Sequence, residues 1–73
     1  MREDRVVAGQ QLRTRRVGAG LSQTDLALAL GVDQTTVSHL ERGARTPSLE
    51  LAVGIERLLG ISASAWIVEE GVS

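Results

Sequence analysis

Apolar residues recur along this chain at three- and four-residue spacings and never alternate over the length of a strand, so the pattern predicts helices and no sheet. Residues 5–18 form the first predicted helix, with Ala8 and Leu12 four apart. Gly9 lies inside it, at a cost of about 1 kcal/mol relative to alanine, and Gly18 and Gly20 end it. Ser22 is placed as an N-cap, with Asp25 completing a weak capping box, ahead of a helix Gln23–Leu30 that carries Leu26, Ala27 and Leu30 on one face. Gly31 stands where the chain must turn through a left-handed conformation. Asp33 caps the next helix, Gln34–Arg42, which buries Val37 and Leu40 and stops at Gly43. Ser48 caps Leu49–Leu59, whose apolar side holds Leu51, Ile55, Leu58 and Leu59, and Gly60 ends it. Ser62 opens a short fifth helix, Ala63–Glu70. The expected architecture is all-α, a compact five-helix domain over residues 1–73 with a polar tail at 1–4.

At 73 residues there is room for one small domain. It has no cysteine and a single histidine, His39, so neither disulfides nor a thiolate or polyhistidine metal site is expected. No apolar run approaches the roughly 20 residues needed to span a bilayer, and no signal segment opens the chain, so it is expected to stay in the cytoplasm where it is made. Net charge is −1, but residues 1–50 hold seven arginines against six acids while residues 51–73 hold one against three. One tryptophan is the whole aromatic content, which removes the base-stacking platforms of single-strand binders. Neither a clustered acid pair nor a phosphate-cradling glycine loop is visible, and Ser38 and His39 are helix neighbours that point apart, so no enzyme and no cofactor are expected.

Two short helices joined by a glycine turn have the shape of a helix-turn-helix. Each demanding position is suitably filled: Leu26 and Leu30 for the core, small Ala27 at the crossing, Gly31 in the turn, and Val32, Val37 and Leu40 in the angle between the helices. The stretch GLSQTDLALALGVDQTTVSHLERGARTPSLEL resembles the XRE-type helix-turn-helix family of phage lambda Cro and repressor. Gly-Leu-Ser-Gln, Leu-Ala, Gly-Val, Ser-x-x-Glu-x-Gly and a following proline are all present, and the resemblance covers about residues 8–68. It implies a domain whose third helix enters the DNA major groove.

The resemblance makes Gln34, Thr35 and His39 the expected base readers, with Thr36 and Ser38 beside them. Glutamine can pair bidentately with adenine, histidine can donate to guanine, and threonine methyls can touch thymine methyls. An exposed Gln-Thr-Thr run can equally be a solvated face, and His39 could read a base, touch phosphate or point to solvent. Phosphate contacts are expected from Ser22 and Gln23 at a helix N-terminus, and from Arg42, Arg45 and Thr46 past the recognition helix. Arg16 resembles the family's arginine that pairs with the glutamate after that helix, here Glu41, with one guanidinium edge left for phosphate. Arg15 departs from the family, where an apolar residue is common, and Gly54 interrupts the fourth helix as either a close approach or a weak point.

Trp66, Ile67 and Val68 are consecutive, and on a helix they would span roughly 200°, more than a core-facing stripe about 100° wide can take. At least one is therefore expected to face a second copy, giving a homodimer with recognition helices about 34 Å apart on a pseudo-palindrome. The function these features imply is a sequence-specific regulator of double-stranded DNA, a repressor in the first instance. The rival is a protein-interaction module such as an antitoxin, whose acidic last third would hold a basic toxin; RNA polymerase is another candidate protein partner.

Overall fold

The computed structural model describes residues 2–66. Four α-helices follow one another: α1 (Arg2–Gly18), α2 (Gln23–Leu30), α3 (Gln34–Glu41) and α4 (Leu49–Leu59). A single 3-10 turn, Ala63–Trp66, closes the described chain, and no strand occurs among the described residues. The all-α class and helices α2 and α4 agree with the hydrophobic pattern. Three boundaries differ. Helix α3 ends at Glu41, one residue early, with Arg42 as its C-cap. Helix α1 begins at Arg2, so the expected tail is helical from its second residue. The fifth helix is one 3-10 turn as far as Trp66, and the rest of its expected span lies outside the described residues.

Each short helix starts on a side-chain cap. Ser22 Oγ accepts from the Asp25 backbone N–H at 2.9 Å while the Asp25 carboxylate accepts from the Ser22 N–H at 2.9 Å, a reciprocal capping box. Asp33 accepts from the Thr36 N–H at 2.9 Å, and Ser48 Oγ from the Leu51 N–H at 3.2 Å. These bonds hold both aspartates below the ordinary carboxyl value, Asp25 chiefly through its backbone bond at Ser22 and Asp33 chiefly through the Thr36 hydroxyl. Gly31 turns the chain from α2 into α3 at φ 73°, where a Cβ would be strained, and Val32 N–H then bonds back to Ala27 C=O at 3.0 Å.

Ala8, Leu12, Leu26, Ala27, Val37, Leu40, Ala52, Ile55, Ile61 and Trp66 form one buried core. Helix α3 is clasped between α2 and α1, while α4 and the 3-10 turn close the other side of α1. Gly9 proves to be a close-approach point. A Cβ on it would lie 2.8 Å from the Glu41 carbonyl oxygen and closer still to that of Leu40. Helix α1 thus rides directly on the last carbonyls of α3. Gly54 has no such constraint, since a Cβ there would meet Leu30 Cδ2 at an ordinary 3.5 Å.

Two expectations about side chains need correction. Leu58 does not join the core and stays 45% exposed. Trp66 was expected to share in a dimer face, but it is 1% exposed within its own subunit. The 100° spacing of an α-helix does not apply to the 3-10 turn after Ile61, and there the largest apolar side chain of the segment folds back between α1 and α4. Ile67 and Val68 lie outside the described residues. Among the described residues, no helix is long and apolar enough to cross a membrane.

Candidate nucleic-acid interface

Helix α3 buries Val37, Leu40 and Glu41. Residues advance about 100° each around a helix, so the opposite side carries Thr35 and His39, one turn apart, with Arg42 just beyond. Thr35, Gln34 and Arg42 are exposed, and Ser38 and His39 are half-buried at the base of this face. Thr36 sits at its edge. Its hydroxyl donates to Asp33 Oδ1 at 2.6 Å and lies 3.4 Å from Arg45 Nη1, so it serves the cap before any outside ligand. The structure therefore brings Gln34, Thr35, Ser38 and His39 onto one accessible surface and sets Thr36 aside from it.

Behind that surface lies a chain of polar side chains. Arg16 Nε donates to Glu41 Oε2 at 2.5 Å and its Nη2 to Oε1 at 3.2 Å, tying α1 to the end of α3. Arg16 Nη1 donates to Leu21 C=O at 2.8 Å. Gln23 Nε2 donates to Glu41 Oε1 at 3.0 Å, and Gln34 Nε2 donates to Gln23 Oε1 at 2.5 Å. The Arg16–Glu41 pair expected from the sequence is thus present, with side-chain exposures of 11% and 4%. Nε, Nη1 and Nη2 of Arg16 each donate one N–H within the subunit, which leaves one N–H on each Nη of a side chain 11% exposed for the phosphate expected of it. Gln23 is likewise half-buried and engaged at both ends of its amide. The capping box also occupies the Ser22 N–H and places the Asp25 carboxylate at the start of α2, where a phosphate was expected.

Arg42, Arg45 and Thr46 are exposed on the loop that leaves α3. They remain available as cationic and hydroxyl groups beside the reading face. Arg15, the departure from the family pattern, donates through Nη1 to Leu59 C=O at 3.2 Å and so caps the C-terminus of α4. Three features were missed from the sequence: this cap, the Gly9 approach, and the Gln23–Gln34 link. Only the last had a signal, since both glutamines hold the first position of their helices and those two helices cross.

The sequence profile described as helix-turn-helix matches residues 12–66. An uncharacterized HTH-type transcriptional regulator of Methanothermobacter thermautotrophicus is 45% identical over 49 residues, which span 67% of this chain and 71% of that protein. Another, from Methanocaldococcus jannaschii, is 39% identical over 51 residues, 70% of this chain and 77% of its own. Among solved structures, the restriction-modification controller protein C.AhdI of Aeromonas hydrophila superposes with a TM-score of 0.76 at 36% identity, covering 90% of this chain and 96% of that one. With the capped two-helix unit in place at residues 22–43 and these relatives around it, the chain belongs to the XRE-type helix-turn-helix family of DNA-binding transcriptional regulators.

Proposed function

We propose that this protein is a sequence-specific repressor that lays α3 in the major groove of a pseudo-palindromic operator and binds as a homodimer. The observation that carries this is the outward face of α3: Gln34 and Thr35 are exposed on it and Ser38 and His39 half-buried, with Arg42 exposed at the end of the same face. Gln34 supplies a donor and an acceptor suited to an adenine edge, and His39 a donor suited to guanine. Arg42, Arg45 and Thr46 contact the flanking phosphates and release counterions. The resemblance to a restriction-modification controller supports control of a promoter as the task.

Two copies would set their reading helices about 34 Å apart on the duplex. With Trp66 committed to the subunit core, the stripe Leu51, Gly54 and Leu58 on α4 is the better candidate for the contact, Leu58 being the most open of the three. Leu58→Asp is then expected to convert the dimer to monomers in sedimentation while the subunit stays folded.

Random-site selection with the purified protein tests the assignment. Gln34→Ala should relax preference at one base position, by about 1–3 kcal/mol, whereas Arg42→Ala should weaken binding to all sequences alike. Selection that enriches no sequence, or an Arg42→Ala variant that changes the selected bases, would overturn it.

A further inference from the structure

Helix α4 buries Ala52 and Ile55 and turns Glu50, Arg57 and Leu58 outward, with Leu51 and Gly54 half-buried on the same side. These five outward and half-buried residues line one open groove beside the turn between α2 and α3. At about 100° per residue, Gly54 marks the middle of the face. Glu50 and Arg57 fall about 40–60° to one side of it, and Leu51 and Leu58 about 40–60° to the other. The face therefore has a charged rim and an apolar rim. Glu50 and Arg57 lie two turns apart, roughly 10.5 Å along the axis, too far to pair with each other. Among the described residues neither has an ion-pair partner within the subunit.

This arrangement is complementary to itself. A two-fold axis perpendicular to α4 beside Gly54 keeps each rim on its own side and reverses the helix direction. Each Glu50 then meets the partner's Arg57, and each Leu51 meets the partner's Leu58, so every contact is made twice. A two-fold axis parallel to α4 would instead lay each charged rim on the partner's leucines and desolvate the charges without pairing them.

We propose that this face of α4 is a self-recognition surface for a second copy of this chain, in which reciprocal Glu50–Arg57 pairs set an antiparallel register and exclude chains that lack the matching charges. The inference rests on the α4 contact proposed above and states what that contact selects. The leucines supply apolar burial, while the charges supply orientation and partner choice, because like charges brought together oppose a wrong partner.

Charge reversal in the full chain tests it. Glu50→Arg sets positive against positive at both contacts of a homodimer, and Arg57→Glu sets negative against negative. Each single variant is expected to raise the dimer dissociation constant in sedimentation by about tenfold to a hundredfold. Mixed in equal amounts, the two variants should form a dimer with one copy of each in native mass spectrometry, since every pair is then again of opposite sign. A chain carrying both reversals should pair with itself and not with the unaltered chain. Single variants that dimerise as well as the unaltered chain overturn the proposal, and so does a mixture that yields no mixed dimer. Should a single variant unfold by circular dichroism, the doubly reversed chain decides: its failure to pair with itself is equally fatal. If the unaltered chain sediments only as a monomer, or Leu58→Asp leaves the dimer intact, the α4 contact itself fails first, and the charge pairing with it.

Discussion

Gly9 and Gly54 both sit inside helices, and helix propensity alone gives them the same expectation: replacement by alanine should stabilise by up to about 1 kcal/mol. The structure separates them. A Cβ at Gly54 meets Leu30 Cδ2 at 3.5 Å, which is ordinary contact, so Gly54→Ala should realise most of the propensity gain. A Cβ at Gly9 would lie 2.8 Å from the Glu41 carbonyl oxygen and 3.0 Å from its carbonyl carbon. Those atoms are backbone, and no side-chain rotation can relieve them. Forcing a methyl into a packed site costs typically about 1–3 kcal/mol, so Gly9→Ala should lose about 0–2 kcal/mol once the propensity gain is deducted. For a domain of this size, each kcal/mol moves the midpoint of thermal unfolding by about 4–8 °C. Urea denaturation at fixed protein concentration, with the slope m checked for constancy, measures both variants. Because the displaced atoms belong to the end of α3, Gly9→Ala should also weaken operator binding more than its stability loss explains. If Gly9→Ala stabilises the protein as much as Gly54→Ala, the close packing of α1 on α3 is refuted.

Other expectations follow from the same geometry. Glu41→Ala strands Arg16 with little solvent around it, so a loss of about 3–5 kcal/mol in denaturant unfolding is expected, with a large coupling energy in the Arg16→Ala, Glu41→Ala cycle; additive single losses would refute the pairing. Asp25 and Asp33 are held below the ordinary value of 3.8 when folded, so the unfolded chain takes up protons first as pH falls. Their contribution is complete above that value and is lost as pH drops through the lower folded-state values; Asp25→Asn and Asp33→Asn should flatten this acid limb in thermal melts. Operator affinity should fall steeply with added salt, and Arg42→Ala should shallow the slope of log K against log[salt] by about one unit.

Much of this could be read from the sequence, and the limits have physical causes. Caps Ser22, Asp33 and Ser48 and the turn at Gly31 are local chemistry, set by a few adjacent residues, and each fell where expected. The Arg16–Glu41 pair was legible through the family resemblance. What stayed hidden depends on neighbours distant along the chain. Nothing in the first helix says that Gly9 meets the end of the third, or that Arg15 reaches the carbonyl of Leu59. Trp66 is buried by a single 3-10 turn, whose angular spacing differs from that of the α-helix the sequence pattern predicts there. The partners of Arg16 and Gln23 inside the subunit, Leu21 C=O and Glu41, likewise come from residues on other elements.

Helices α2 and α3 have eight residues each, fewer than the roughly 12–15 at which isolated helices become even marginal in water. The surface that meets the duplex consequently exists only while the entire subunit holds its shape, and whatever binds that surface opposes its melting. At a free site concentration a hundred times the dissociation constant, this adds about 2.7 kcal/mol of protection. Copies resting on their target would outlast unoccupied ones in the face of cellular proteases, and the surplus would be cleared first.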